Sequence, residues 1–254
     1  MTVYTGINYG LSGVQRSTMA LITVKMAFRN FKPRILASVR VSSTSFPRNP
    51  HSPLEVFDAG GVRPLNVTNG DNRLFASSIR WALEPLLGPL ITDDQRGFIS
   101  GRSMLANVMD IEEAMAYGAG QREGAMAFFF DYASAFPSIE QDLLHQFFQH
   151  LGWPSWLLRA IKVLCWNNFC SICLGGSRFK GFAITRGIRQ GCPLSPLLFA
   201  ITTDLMLRRL GRNFPGSCAR SYADDLAMVV KEGASSLSGL ETFFADFEKI
   251  SGLH

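Results

Sequence analysis

The stretch Ala219-Arg-Ser-Tyr-Ala-Asp-Asp-Leu-Ala-Met-Val-Val230 decides how the rest of the chain is interpreted. Apolar runs on both sides of Asp224 and Asp225 predict a β-hairpin with the two carboxylates at its turn. An ionised carboxylate that is buried without a partner costs several kcal/mol, so a buried pair calls for a cation. Asp224 and Asp225 are therefore candidate metal ligands. An ordinary Asp-containing turn explains the same residues equally well, and this stretch leaves both interpretations open.

A second segment favours the metal. Ala125-Met-Ala-Phe-Phe-Phe-Asp131 is another apolar run that stops at a carboxylate, and it reads as a strand buried on both faces. Two such strands side by side would bring Asp131 to Asp224 and Asp225. Three carboxylates at one place predict a site for two magnesium ions, which prefer hard oxygen ligands and complete their shells with water and substrate phosphates. The chemistry that uses this arrangement is nucleotidyl transfer.

Length and composition are those of a globular protein. The 254 residues are 47% hydrophobic and 18% charged, enough for one large domain or two small ones. No apolar run approaches the roughly 20 residues of a membrane helix, so no membrane partner is expected. The net charge of +5 is uneven, because residues 1–54 hold seven basic and no acidic residues, which leaves −2 for the remainder. Any basic surface for nucleic acid must therefore be local.

The first 54 residues and the cysteines bear on location. Residues 1–54 are rich in Arg and Ser and show weak periodicity, a composition that imitates a transit peptide. The favoured interpretation is an unrelated or disordered leader, which packs little and is sensitive to proteases.

Five cysteines in apolar surroundings suit a reducing compartment, the nucleus or cytoplasm, better than a disulfide framework. The pair Cys170 and Cys173 has no second pair nearby, so buried thiols are expected there instead of zinc.

Periodicity predicts an α+β fold. The first expected elements are a helix from Asn72 to Leu87 and a helix capped by Ser103, with Leu105, Val108, Ile111 and Met115 on its core face. A third helix opens with a Ser138/Gln141 capping box and ends at His150, and residues 169–174 and 179–185 form a hairpin. Two further helices are expected from Leu197 to Leu210 and from Leu237 to Ile250. The pair Asp93 and Asp94 lies in a polar segment and reads as solvated or capping.

Taken in chain order, the motifs resemble those of reverse transcriptases, most closely the non-LTR (LINE-type) retrotransposon enzymes, with group II intron maturases as relatives. The segments that carry the resemblance are Arg63-Pro-Leu65, Gln95-Arg-Gly-Phe-Ile-Ser-Gly-Arg-Ser103, Phe129-Phe-Asp-Tyr-Ala-Ser-Ala-Phe136, Gly187-Ile-Arg-Gln-Gly-Cys-Pro-Leu-Ser-Pro196 and Tyr222-Ala-Asp-Asp225. The resemblance covers residues 62–254 and leaves 1–61 as an unrelated leader. It implies the fingers and palm of a right-handed polymerase, with an antiparallel palm sheet backed by helices.

The family's chemistry is RNA-directed DNA synthesis, so the resemblance implies an RNA template with a DNA primer, deoxynucleoside triphosphates, and two Mg²⁺ ions or Mn²⁺ in their place. Asp131 and Asp224 would hold the metal ions, with Asp225 in a lesser role, and these three form the catalytic set. Two ions roughly 3.5 to 4 Å apart stabilise both the attacking and the leaving oxygen.

Five further residues form the nucleotide-binding set by the same resemblance. Phe136 corresponds to the steric gate that excludes a ribose 2′-OH. Gln190 and Gly191 match the loop that contacts the incoming nucleotide and the template, where glycine permits close backbone approach. Arg63 resembles a fingers arginine that meets the triphosphate, and Tyr132 belongs with them. Arg102 is assigned equally to a template phosphate or to the surface.

Two departures from the family pattern define the alternative. The segment His51 to Gly61 lacks the basic, lysine-bearing residues that usually precede Arg63, and Ser251-Gly-Leu-His254 resembles the point at which relatives continue into the thumb. The sequence therefore predicts a chain without a thumb, and a catalytically silent relic that binds nucleic acid nonspecifically is the alternative. An RNA-dependent RNA polymerase or a nucleotide cyclase is disfavoured, because Phe136 would obstruct a ribonucleotide.

Overall fold

The fold is described from a computed structural model, which covers residues 38–42, 46–47, 62–63, 66–119, 125–132, 134–166, 168–174 and 177–253. The described residues combine helices with mainly antiparallel sheets, in agreement with the predicted α+β class. The helices are α1 (Gly70–Leu87), α2 (Met104–Ala119), α3 (Ala135–Ser138), α4 (Gln141–His150), α5 (Ser155–Cys165), α6 (Ser195–Asn213) and α7 (Gly233–Ser251). The strands are β1 (Ser38–Ser42), β2 (Phe46–Pro47), β3 (Val62–Arg63), β4 (Asn66–Thr68), β5 (Met126–Phe130), β6 (Asn168–Leu174), β7 (Ser177–Phe179), β8 (Ala183–Ile184), β9 (Cys218–Tyr222) and β10 (Asp225–Val230).

Three sheets organise the described residues. An antiparallel sheet has the order β5-β10-β9, and a five-stranded sheet has the order β4-β1-β6-β7 with β8 also paired to β6. The third sheet is the short pair β2-β3. Among the described strands, β1 and β6 pair in parallel and the other strand pairs are antiparallel.

Helix α6 lies at the centre of the core. Twelve of its 19 residues are buried, including the polar residues Thr202, Thr203 and Asp204, so other elements cover most of its surface. Alternate residues of β10, Leu226, Met228 and Val230, enter the same core. Helix α7 packs on this face as well, with Phe244 against Phe130 of β5 at 4.5 Å between ring centroids. The β5-β10-β9 sheet is thus backed by two helices on one face.

Strand β5 differs from its prediction. It is an edge strand with a partly exposed pattern, and Phe129 is 72% exposed. The run Phe128 to Phe130 is apolar on both faces, but α6 and α7 cover only the face that carries Phe128 and Phe130, and on the other face Phe129 borders an open space beside α2. A continuous apolar run therefore does not establish burial on both sides here.

Helix α2 begins where Ser103 predicts, since the Ser103 hydroxyl accepts a hydrogen bond from the amide of Leu105 at 3.2 Å. The prediction of its core-facing residues is wrong, however. Ile111 is buried, whereas Leu105, Val108 and Met115 are exposed. The helix packs on β9 and β10 through polar contacts instead, and most of its apolar side chains remain open to solvent.

The other predicted elements form with adjusted ends. Helices α1, α6 and α7 contain the predicted segments. The predicted hairpin is confirmed as β6 and β7, although its second strand is interrupted after Phe179 and resumes as β8. The predicted capping box between Ser138 and Gln141 is wrong. The side-chain amide of Gln141 donates instead to the carbonyls of Cys165 and Gly187, at 3.1 and 2.8 Å. No described helix is long and apolar enough to cross a membrane.

The cysteines and the leader can be compared in part. All five cysteines are free thiols, and of the pair expected to be buried Cys170 is buried in β6 whereas Cys173 is half-buried. Most of residues 1–61 lies outside the described residues. Strand β1 is an exception, because Ser38–Ser42 pairs with β4 on one side and β6 on the other. This part of the expected leader is therefore integrated into a sheet.

Candidate functional site

Strand register brings the predicted carboxylates to one edge of the β5-β10-β9 sheet. Phe130, the last residue of β5, pairs with Leu226 of β10. Asp131 follows Phe130 and Asp225 precedes Leu226, so these two aspartates leave adjacent antiparallel strands at the same end. Asp224 lies in the two-residue turn between Tyr222 and Asp225, which pair across β9 and β10. The predicted convergence at strand ends is thus confirmed at the level of the backbone.

The electrostatics agree with this proximity. The pKa of Asp225 is raised first by partial loss of solvent and then by the negative charges of Asp224 and Asp131. Yet the carboxylates are not buried as expected: Asp131 and Asp225 are exposed and Asp224 is half-buried. Partial loss of solvent is thus the larger cause of the raised pKa of Asp225 and the neighbouring negative charges add to it, and a bound cation would relieve both.

The donor set suits a divalent cation in its chemistry, since carboxylate oxygens on adjacent strand ends are hard ligands. Across the residues that the structure describes, no three His, Cys, Asp or Glu side chains are close enough to hold one ion. The three aspartates are therefore neighbours, but their side chains do not converge on a single position for a metal ion.

The turn that carries Asp224 has an unusual backbone. Ala223 has a φ of +59°, a left-handed conformation that costs a residue with a Cβ about 1 to 2 kcal/mol. Hairpin turns that need this conformation usually place glycine there. Ala223 is also buried, so neighbouring groups hold a strained backbone in place.

Gln95 supplies most of that restraint, and its side chain is fully buried. Its Oε1 accepts from the amides of Ala223 and Gly97, at 3.2 and 2.7 Å. Its Nε2 lies within hydrogen-bond distance of Thr203 Oγ1, Ser221 Oγ and the Ala223 carbonyl, at 2.6, 3.1 and 3.4 Å. Two amide donors on one side and a carbonyl acceptor on the other fix the orientation of the side-chain amide.

The neighbours of Gln95 hold the same hairpin. The amide of Arg96 donates to the Ser221 carbonyl at 2.9 Å, and the amide of Ser221 donates to the Asp94 carbonyl at 2.7 Å. A Cβ built on Gly97 would lie 2.0 Å from the Ala223 amide nitrogen, so only glycine permits this approach. The Gln95-Arg-Gly97 part of the motif is therefore packed directly against the turn.

Ion pairs connect this segment, β9 and α2. Arg220 contacts Asp110 at 2.6 Å and Asp94 at 2.7 Å, and Arg96 contacts Asp110 at 2.8 Å. Hydrogen bonding from Arg220 lowers the pKa of Asp110, while burial raises the pKa of Asp94. The prediction of a solvated pair is right for Asp93, which is exposed, and wrong for Asp94, whose carboxylate is paired and whose backbone extends the sheet.

The aromatic residues after Asp131 pack toward α6. The Phe136 ring is half-buried, stacks on Phe199 at 4.8 Å and 13°, and meets Phe98 edge-on at 5.9 Å. The Tyr132 hydroxyl donates to Met206 Sδ at 2.8 Å, and burial together with the Asp224 charge raises the pKa of Tyr132. Phe136 thus keeps a partly open edge, whereas the hydroxyl of Tyr132 is directed into the core.

The glycine-bearing loop lies beside these aromatic residues. The amide of Ile188 donates to the Phe136 carbonyl at 2.9 Å, and Gly187 approaches Pro137 with a φ of +85°. Gly191 is exposed with a φ of +77°, its carbonyl accepting from Thr68 Oγ1 at 3.0 Å. Gln190 is half-buried next to it. The side chain of Arg63 lies outside the described residues.

Arg102 is half-buried and its guanidinium is bound by the protein itself, while its assignment to a template phosphate stays a prediction. Its guanidinium donates to the carbonyls of Thr92, Gln95, Gly88 and Ile91, at 2.5, 2.6, 3.1 and 2.7 Å. This pairing satisfies the carbonyls at the end of α1 and of the loop that follows. Arg102 therefore shapes the segment that presents Gln95.

A cavity of about 440 Å³ lies between α2 and the face of the sheet that α6 and α7 leave uncovered. Met104, Val108 and Met115 of α2 form its apolar wall, and Phe129 faces them from β5. Asp131 and Asp225 line its rim. The carboxylates consequently border an open, partly apolar space on the side away from the core.

Comparison with known proteins assigns this arrangement to a class. The sequence profile of the reverse transcriptase (RNA-dependent DNA polymerase) family matches residues 49–254. This chain belongs to that family. The match begins before Val62, so the family resemblance extends into the segment that the motifs alone left unassigned.

Its relatives are proteins of non-LTR retrotransposons. The uncharacterised 149 kDa protein of transposon TX1 from Xenopus laevis is 25% identical over 181 residues, 67% of this chain and 14% of that protein. The Pol polyprotein of retrotransposable element R2DM from Drosophila melanogaster is 24% identical over 168 residues, 63% of this chain and 16% of that protein. The chain thus spans a small part of the length of the curated relatives it matches.

Solved structures agree on the fold. Telomerase from Candida albicans, solved with a fragment of telomeric RNA, has a TM-score of 0.58 at 11% identity, covering 93% of this chain and 44% of that one. Telomerase from Candida tropicalis, solved with a similar RNA fragment, has a TM-score of 0.59 at 12% identity, covering 84% and 39%. Identities this low support a shared polymerase fold and nothing finer.

Proposed function

We propose that this chain is the polymerase core of an RNA-directed DNA polymerase, which extends a DNA primer with deoxynucleoside triphosphates on an RNA template. The observation that carries the proposal is the pairing of Phe130 with Leu226, which sets Asp131 and Asp225 on adjacent strand ends beside Asp224. Membership of the reverse transcriptase family supports the same reaction. In this proposal the β5-β10-β9 sheet with α6 and α7 is the palm, and the preceding described residues belong to the fingers.

The proposed cofactor is a pair of Mg²⁺ ions, with Mn²⁺ as a substitute. Asp131 and Asp224 would hold them, and Asp225 would contribute from beside the turn. Bound divalent ions would neutralise charge on the attacking and leaving oxygens of an in-line displacement at phosphorus. The three aspartates supply negative charge at a fixed place, and their exposure leaves room for phosphate oxygens and water in the remaining ligand positions.

The other proposed contacts surround the nucleotide. The half-open edge of Phe136 would meet the sugar, and its stacking on Phe199 keeps the ring from turning away. Gln190 and the exposed backbone of Gly191 would contact the nucleotide and template, and Arg63 would contact the triphosphate. Tyr132 is better suited to a supporting role, because its hydroxyl is already bonded to Met206.

Primer extension by the purified 254-residue chain on an RNA template tests the proposal. Asp224→Asn should abolish extension, since it removes a charged metal ligand and preserves the shape of the side chain. Asp246→Asn is the matched control, because Asp246 lies on α7 and pairs only with Lys249, at 3.1 Å, among the ion pairs that the structure describes. Extension by Asp224→Asn at the wild-type rate would rule out the assigned site.

The alternative of a silent relic is not favoured. Asp131, Asp224 and Asp225 are all present at the predicted strand ends, and the chain belongs to a family of active polymerases. Nonspecific binding of nucleic acid with no extension under any metal condition is the result that would restore this alternative.

A further inference from the structure

Gln95 holds the backbone on both sides of Ala223. Its Oε1 accepts from the Ala223 amide and its Nε2 reaches the Ala223 carbonyl. That carbonyl belongs to the peptide unit whose nitrogen is the amide of Asp224. The plane of this peptide sets the direction in which the Asp224 side chain leaves the backbone, so Gln95 acts on Asp224 without touching its carboxylate.

The surroundings leave Gln95 no other position. Its side chain is fully buried and all its polar capacity is used within the protein. Thr203, on the central helix α6, anchors the far side of the amide at 2.6 Å. Gln95 thereby connects the turn to helix α6 in the core. On the other side, Arg102 donates a hydrogen bond to the backbone carbonyl of Gln95 at 2.6 Å.

Strain at Ala223 indicates what this restraint is for. A strained backbone conformation persists only where the surrounding structure over-determines it, and Gln95 contacts both the amide and the carbonyl of Ala223. Gly97 gives an independent indication, because its lack of a Cβ is needed for the same close approach to the Ala223 amide. Two residues of one segment are thus specialised for contact with the turn.

We infer that Gln95 is a positioning residue for the metal ligand Asp224: it holds the strained turn in the conformation in which that carboxylate can share a divalent cation with Asp131. The inference rests on the proposed function and adds a residue to its site. Partners that orient a metal ligand from outside the coordination shell typically change metal affinity 10- to 100-fold when they are removed. Gln95 has the burial and the hydrogen bonds of such a partner.

The test is Mn²⁺ binding by the full chain, measured by the electron paramagnetic resonance signal of free Mn²⁺. Gln95→Met preserves the length and bulk of the side chain and removes every hydrogen bond, and it should raise the Mn²⁺ dissociation constant at least about tenfold. Gln141→Met is the matched control. Gln141 is also a buried glutamine that joins two distant segments through their carbonyls, so its loss should lower the melting temperature comparably and leave Mn²⁺ affinity unchanged.

Ser221→Ala is a milder second variant for the case in which Gln95→Met does not fold. It removes the hydroxyl that contacts both Gln95 Nε2 and the Ala223 carbonyl, each at 3.1 Å, and it should weaken Mn²⁺ binding about threefold or more, a partial version of the full loss. Unchanged affinity in a folded Gln95→Met, or in Ser221→Ala, overturns the inference. An equal loss in Gln141→Met does so too, because it would reveal general loosening.

The wild-type chain separates this inference from the proposed function. If it binds no Mn²⁺, the metal site itself is wrong and the role of Gln95 falls with it. If it binds Mn²⁺ and Gln95→Met binds equally well, only the role of Gln95 is overturned.

Discussion

At the scale of single residues, Phe136 combines packing with exposure. Its ring stacks on Phe199 and keeps one edge open, so the same side chain can support the core and limit the space beside the site. These two functions predict different consequences when the ring is removed.

Phe136→Ala should therefore lower both the stability of the fold and the preference for deoxynucleotides. Loss of a half-buried ring should lower the free energy of unfolding by roughly 2 kcal/mol, below the 3 to 5 kcal/mol of a fully buried one. The opened space should also admit ribonucleotides, so the ratio of dNTP to rNTP incorporation should fall. Single-nucleotide incorporation and urea denaturation measure the two effects.

Phe147→Ala is the control for this change, since Phe147 is another partly buried ring, packed on Phe148 in α4. It should lose stability with an unchanged sugar preference. An unaltered dNTP/rNTP ratio in a destabilised Phe136→Ala would assign the ring to the core alone.

Residue-scale prediction of position succeeded where a residue's place follows from a single strand, whereas the metal-binding role of Asp131 and Asp224 stays a prediction. Asp131 and Asp224 end apolar runs, and that pattern is visible without any partner. Gln95 and Arg102 could not be found this way, because their bonds go to groups that the fold brings near. The Gln95-Arg-Gly97 motif is visible in the sequence, but a buried polar residue cannot be told from a surface one until its hydrogen-bond partner is known.

At the scale of elements, helix α2 is attached to the sheet by charge. Asp110 accepts from Arg220 and Arg96, whereas most of the apolar residues of the helix face the open cavity. Helical periodicity predicted the helix and its start correctly, but a period of 3.6 does not reveal whether an apolar stripe has anything to cover it.

Asp110→Asn should cost roughly 1 kcal/mol of folding stability at pH 7, since a partly exposed ion-pair network is worth no more. The pKa of Asp110 is lowered in the folded protein. Its contribution is therefore present above the unfolded pKa of about 3.9 and is lost as the pH falls through the lower folded value. The difference between wild type and variant should shrink below about pH 4, as measured by urea denaturation across pH.

Glu113→Gln is the control on the same helix, where Glu113 is exposed. It should change stability by less than about 0.5 kcal/mol at every pH. A pH-independent loss in Asp110→Asn would attribute its effect to packing and not to charge.

At the scale of the whole molecule, the N-terminal residues and the middle of the chain share one sheet. Strand β1 pairs Ser38 with Phe169 and Ser42 with Cys173. Composition gave no indication of this, because the alternation in Ser38-Val-Arg-Val-Ser42 is only five residues long and the strand gains its order from two neighbouring strands. Protease sensitivity of the rest of residues 1–54 stays a prediction.

Amide hydrogen exchange tests this placement. The amides of β1 should exchange slowly, since the strand is bonded on both sides, and those of the exposed edge strand β7 should exchange faster. Exchange at β1 that is as fast as at β7 would contradict the pairing and return residues 38–42 to the leader.

The contact between Gln95 and Ser221 spans 126 positions of the chain, which has a consequence for biosynthesis. A chain emerges from the ribosome with its N-terminus first. The side chain of Gln95 therefore cannot reach its buried position until β9 has been synthesised and has packed against it. The entropy of closing so long a loop grows only slowly with its length, yet closure cannot precede the synthesis of Ser221. The carboxylate turn is thus completed late, and an unfinished chain carries no preassembled site.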